Sequence, residues 1–201
     1  MNVIPKIIAP PSEEPLTLEQ ARKHLRITPY GSPLEHADDD DIMAALTDAR
    51  VWCENRTRRS FAKKTYQIAL DEFPCGAILL PYAAPLISIG GISYLDSEAT
   101  LLSLDPSLFA IDDFQEPGWV MPSATNDWPE TYAAVNAVKI SYIAGNDAEH
   151  PIIGDCLRAI KLVMGHFCEN REDTSPLKLE RIPLAATNLL EPHRLFREGF
   201  V

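Results

Sequence analysis

The sequence predicts an α+β protein: an antiparallel helix bundle core with an inserted antiparallel β-sheet of short strands and extended termini. Three observations lead there. Residues 41–55 and 152–171 repeat apolar side chains at steps of three and four, the spacing that gathers them on one helical face. Between them, over about 64–144, the period shortens to two, and short β-rich segments are separated by Gly, Pro and Asp turns. At both ends prolines interrupt regular structure.

The first 16 residues carry Pro5, Pro10, Pro11 and Pro15. Each removes a backbone donor and restricts its predecessor, so this arm is expected to be extended and ordered only by neighbours. Thr17-Leu18-Glu19-Gln20 has the capping-box pattern, with Thr17 as N-cap and Gln20 reaching back. With Leu18, Ala21 and Leu25 as a narrow apolar stripe, it predicts a short helix at 17–26, broken by Pro29, Gly31 and Pro33.

Asp38, Asp39, Asp40 and Asp41 are a conspicuous charge run. Clustered carboxylates can hold a divalent cation, but neither the spacing nor the glycine of a calcium loop follows. A helix N-terminus gains directly from acids in its first turn, and the apolar series Ile42, Ala45, Leu46, Ala49, Trp52 and Cys53 begins at once. The acids are therefore read as capping charges. Arg56, Arg58 and Arg59 suit the opposite end of the same dipole, a small phosphate-binding patch being the alternative.

Strict alternation marks a strand over 64–70, followed by a Phe73-Pro74-Cys75-Gly76 turn and a short strand over 77–80. The strand at 87–95 contains Gly90-Gly91, which signals a bulge or a close backbone approach. Asp96 to Ala99 is a hairpin connection into 100–103; short pieces follow near 109–111 and 119–121, and 138–143 alternates cleanly before Gly145. In the second long helix the stripe is Ile153, Cys156, Leu157, Ile160, Val163, Met164 and Phe167, with Asp155, Arg158, Lys161 and Glu169 opposite. Burying one large apolar side chain is worth about 1.5–3 kcal/mol, so Ile42, Leu46 and Trp52 are expected to pack against Ile153, Leu157, Ile160, Met164 and Phe167.

Beyond Arg171 the pattern fades, then 187–190 reads as a short helix closed by Pro192. Leu195, Phe196, Phe200 and Val201 have no obvious place on the chain, and suit either a partner's groove or docking back on the domain. The expected organisation is one α+β domain over 1–183 and a docking tail over 184–201, mobile when free and ordered on assembly.

Composition narrows the function. Net charge is -11, and surfaces that grip phosphate backbones do so with Lys and Arg, so duplex DNA is expected to pass without specific binding. No apolar run reaches membrane-spanning length, and the first residues lack a secretory pattern, so synthesis in the cytoplasm is expected. Cys53, Cys75, Cys156 and Cys168 are dispersed, which disfavours disulfides. A metal on Cys156, His166 and Cys168 is the sharp alternative to small core cysteines, but helical spacing turns His166 away from the other two. There is no P-loop, G-x-S-x-G, H-E-x-x-H or dinucleotide fingerprint. The five histidines are scattered, and adjacent Asp112 and Asp113 would face opposite sides of a strand. No catalytic residues, metal or cofactor are expected.

Several local patterns combine: Glu14-Pro15-Leu16-Thr17-Leu18 with His24-Leu25-Arg26, Leu79-Leu80-Pro81, Tyr94-Leu95-Asp96, Trp128-Pro129, Tyr142-Ile143-Ala144-Gly145, Pro151-Ile152-Ile153 and Asn170-Arg171-Glu172. In this order and spacing they resemble the head-tail connector, or head-completion adaptor, family of long-tailed bacteriophages and gene transfer agents. The resemblance covers nearly the whole chain, with two departures. The hairpin after Tyr94 lacks a glycine, and His193 stands where an aromatic is usual. It implies a structural virion protein of the neck: a twelve-membered ring under the portal protein that extends the DNA channel and meets the stopper or tail. It also implies a C-terminal segment reaching the portal, with Leu189, Leu190, Leu195 and Phe196 as anchors and Arg194 and Arg197 making polar contacts. A stopper or tail-completion protein of similar build, or a small phage-encoded enzyme, are the competing readings.

Overall fold

The computed structural model describes residues 3–27, 37–124, 126–170 and 184–195. The chain is α+β and divides into two compact units. One consists of Arg58–His150 with the N-terminal arm through Ser12 and with Leu195; the other consists of Glu13–Thr57 and Pro151–Arg194.

Among the described residues the first unit holds all the strands: β1 (Lys6–Ala9), β2 (Lys64–Leu70), β3 (Ile78–Leu79), β4 (Leu86–Leu95), β5 (Leu101–Ser103), β6 (Phe109–Asp112), β7 (Trp119–Pro122) and β8 (Val138–Ala144). The single sheet expected from the sequence is two. Five strands form one in the order β1-β2-β8-β4-β5, three form the other in the order β3-β7-β6, and every pairing is antiparallel. The arm also departs from expectation. Its strand β1 pairs with β2, Lys6 opposite Gln67 and Ile7 opposite Tyr66, so the unit's own sheet orders it.

Period-two patterning fixes which face is buried. Tyr66, Ile68 and Leu70 of β2 and Val138, Ile140 and Tyr142 of β8 point into the core, where they join Leu86, Ile92, Ile78, Leu80 and Val120. Tyr66 stacks on Tyr142 with ring centres 5.5 Å apart, and Tyr142 Oη donates to the Pro81 carbonyl at 2.6 Å. Burial raises the Tyr142 phenol well above its ordinary pKa, so it stays a neutral donor. Phe73 stacks on Trp128 at 4.8 Å, and Trp128 Nε1 donates to the Gly76 carbonyl at 2.7 Å, pinning the loop after β2.

The bulge expected at Gly90-Gly91 is present. The β4–β8 register shifts between Ile89 and Gly91, Gly91 has φ 150, and a Cβ on Gly90 would lie 3.0 Å from Ser141 Oγ. The hairpin without glycine places Ala99 in the left-handed region, φ 62, while Asp96 Oδ1 accepts from the Glu98 and Thr100 N–H groups. Left-handed alanine costs about 1–2 kcal/mol and the added chain entropy of glycine about 0.4–1. Ala99→Gly is therefore expected to stabilise the protein by about 0.5 kcal/mol, read as a raised denaturation midpoint; a lowered midpoint would refute the strain.

The second unit is helical: α1 (Leu18–Leu25), α2 (Asp39–Thr57), α3 (Gly154–Glu169) and α4 (Leu184–Leu190). The Thr17 capping box forms as expected, Gln20 N–H donating to Thr17 Oγ1 at 3.2 Å and Thr17 N–H to Gln20 Oε1 at 3.1 Å. The aspartates open α2, and Asp39 also receives the Arg22 guanidinium of α1, with Nε at 2.7 Å from Oδ1. Helix α2 packs on α3, and α3 on α4. Buried Arg50 of α2 donates to both oxygens of Glu14, at 2.6 and 2.9 Å, and to Glu54 at 2.9 Å.

Candidate functional site

Helices α2 and α3 pack on each other. Ile42, Leu46, Ile160 and Met164 are buried, joined by Cys53, Cys156, Ala159 and Val163. The buried face of α3 is rotated from the stripe expected. Leu157 and Phe167 are half-buried, as is Trp52 on α2, and Ile153 is 39 % exposed as the N-cap residue. Ala159, outside the expected stripe, is fully buried on this face. Burial pushes the Cys53 thiol up to about 12, with Cys156 and Glu54 nearby adding to the shift, so this thiol is inert packing material.

Helix α4 is where the sequence reading and the structure part. Ala186 and Leu190 are fully buried, and the helix packs on α3 instead of standing off as a mobile tail. Leu190 is thus held inside its own unit, while Leu189 is half-buried and Leu184 is 76 % exposed. Pro192 lies in a 3-10 turn, Glu191–His193, that ends the helix. Glu191 collects two guanidinium groups, Arg56 at 3.2 Å and Arg194 at 3.5 Å, and His193 Nε2 lies 3.6 Å from Asp155 Oδ2. These contacts fix the path of the chain as it leaves α4. Leu195 is half-buried; Phe196, Arg197, Phe200 and Val201 lie outside the described residues, as do 177–183.

Two of the three arginines expected to cluster, Arg56 and Arg59, are engaged by acids. Arg56 ends on Glu191, and Arg59, itself buried, ends on Glu116. In the helical unit a cavity of about 440 Å³ is lined by apolar residues that include Ile42, Ala45 and Phe167 and by Asp38, Asp41, Asp48 and Glu169, with no Lys or Arg among the described residues of its lining. Among the described residues no group of three His, Cys, Asp or Glu side chains is placed to hold a metal, and no helix is long and apolar enough to cross a membrane. Duplex DNA is expected to bind more weakly than about 100 μM at physiological salt. Fluorescence anisotropy would reveal an error here: salt-sensitive micromolar binding, lost when Arg56, Arg58 and Arg59 are neutralised together.

Over its whole length the fold has been seen before. The chain is similar to one in the neck of an empty gene transfer agent (GTA) particle, solved with C6 symmetry, at TM-score 0.80 and 18% identity, with 98% of both chains covered. It is similar to a chain in the virion of a native gene transfer agent particle at TM-score 0.76 and 18% identity, again over 98% of each. A chain in the neck of a native particle solved with C12 symmetry matches at TM-score 0.70 and 17% identity, over 100% of this chain and 99% of that one. No protein-family profile and no curated protein sequence matches this chain. The shared property is therefore the fold.

Proposed function

We propose that this chain is a structural protein of the particle neck: an adaptor whose copies form a ring between the portal of the capsid and the stopper or tail, enclosing part of the DNA channel. The observation that carries this reading is the end-to-end match to neck chains, at TM-score 0.80 over 98% of each chain. Residual similarity in one domain would allow many functions; correspondence over a whole two-unit chain is more demanding. Six- and twelve-fold symmetry in those necks supports a ring of copies. The charge of -11 fits a wall past which DNA slides, since a basic lining would bind phosphates and resist passage. No catalytic chemistry is required of it, and its place would be the virion neck after synthesis in the host cytoplasm.

Within this reading the portal contact falls to the end of α4 and the segment after it, with Leu189 on the helix, Arg194 and Leu195 following and Phe196 and Arg197 beyond. Leu190 contributes by holding α4 to its unit. The test must leave α4 in place, because truncation after Pro183 would remove buried Ala186 and Leu190 along with the tail. Purified portal rings are titrated with the full chain and with a chain ending at Arg194. The full chain binds; the shortened one loses at least about thirtyfold, the equivalent of one hot-spot contact of about 2 kcal/mol. Full affinity of the shortened chain would move the contact elsewhere. If the full chain ignores portal rings, the adaptor role fails and the stopper role replaces it.

A further inference from the structure

We propose that the five-stranded sheet continues between neighbouring copies of this chain, the free edge of β1 in one copy pairing in parallel with the free edge of β5 in the next. The inference rests on the ring reading above and specifies what joins its members. Strands β1 and β5 are the two edges of the sheet, and among the described residues no strand pairs outside either. Both edges are apolar and open. Ile7 and Ile8 are 50% and 46% exposed, and Leu101 and Leu102 are 67% and 39% exposed.

Consecutive residues of a strand point to opposite faces of the sheet. A partner lying on one face would cover Leu101 or Leu102 but not both; at β1 the pairing with β2 slips between Ile7 and Ala9, a bulge at Ile8 that breaks the alternation there. A strand laid along the edge approaches both leucines of β5 and the exposed isoleucines of β1 while also pairing backbone groups left open there. Pro5 and Pro10 confine the window at β1 to Lys6–Ala9, a length that suits the three residues of β5.

Strand direction then selects the partner. Four antiparallel steps separate β1 from β5, so the two edges run the same way within one sheet. A copy generated by the small rotation of a ring keeps that direction, which makes the junction parallel, head-to-tail and repeatable until the ring closes. Pairing of β1 with β1 would require a two-fold axis and would stop at a dimer. In the parallel alignment Lys6, at the start of β1, comes beside the hairpin that precedes β5, where exposed Glu98 supplies the opposite charge.

The test uses the full chain with exposed Cys75 and half-buried Cys168 changed to serine, carrying Ile8→Cys and Leu101→Cys together or singly. Assembled neck rings are treated with a short bis-maleimide and resolved under denaturing conditions. The double variant gives a covalent ladder extending to the full ring, and each single variant stays monomeric. Rings of normal symmetry without a ladder overturn this interface alone, and dimers from either single variant overturn it in favour of two-fold pairing. If the unsubstituted chain forms no ring, the ring reading falls and the interface with it. Independently, Leu101→Lys leaves melting unchanged, because the site is exposed, but lowers the ring population about tenfold or more. An undiminished ring population in that variant overturns the proposal.

Discussion

Ile160→Asp abolishes cooperative folding of the helical unit, whereas Leu157→Asp one turn earlier leaves a folded protein. Ile160 is fully buried between α3 and its neighbours, and Leu157 is half-buried. Deleting a buried isoleucine side chain costs about 2–5 kcal/mol. A carboxylate in its place must be buried without a partner or neutralised, which adds several kcal/mol, and the sum reaches the whole stability of an ordinary domain. At position 157 the carboxylate can turn toward water, so the loss is closer to about 1–2 kcal/mol. Far-UV circular dichroism through a thermal ramp separates the two. Equal melting of both variants would mean that the exposure difference along α3 is not real.

Gly145→Ala has the second large effect, and it strikes the other unit. Gly145 has φ 127, and a Cβ there would lie 2.2 Å from the Ala62 carbonyl oxygen and 2.5 Å from its carbon. Those obstacles are backbone atoms that cannot rotate away. The Gly145 N–H also donates to the Pro85 carbonyl at 3.0 Å, so shifting the glycine to relieve the clash breaks that bond. Backbone strain of about 1–3 kcal/mol plus a lost hydrogen bond of about 1 puts the cost near 3 kcal/mol or above. The companion Gly76→Ala is nearly neutral, since nothing lies within 4 Å of its Cβ position. Denaturant titration of both decides it; a loss below about 1 kcal/mol at position 145 would show that the loop yields.

Much of this architecture can be read from local signals because local signals cause it. The capping box at Thr17, the acids at the start of α2, the bulge at Gly90-Gly91 and the alternation in β2 and β8 each depend on residues within one or two turns of chain. What escapes the sequence is non-local. Nothing in Lys6–Ala9 announces β2 as its partner, and nothing in Phe109–Asp112 says that it joins a second sheet. The rotated face of α3 went unseen because Ala159 is fully buried, yet contributes little to an apolar stripe. For the tail, Leu190 is apolar at a helix end, a pattern that fits docking on a partner and docking at home equally well; only contact with α3 decides. Several scattered motif residues do meet in space, as Tyr142 on Pro81 and both Tyr94 and Trp128 on Phe73 illustrate.

The carboxylates of Glu14 and Glu54 converge on one buried guanidinium, that of Arg50. Loss of Arg50 alone would deprive buried Glu54 and half-buried Glu14 of their shared cation, and loss of either acid would leave the cation under-compensated, so each single step passes through a less stable protein. Simultaneous replacement by apolar residues carries no such penalty. Inheritance should therefore treat positions 14, 50 and 54 as a single character: descendants of this chain either keep all three ionic partners or have exchanged all three for hydrocarbon, with mixed combinations rare.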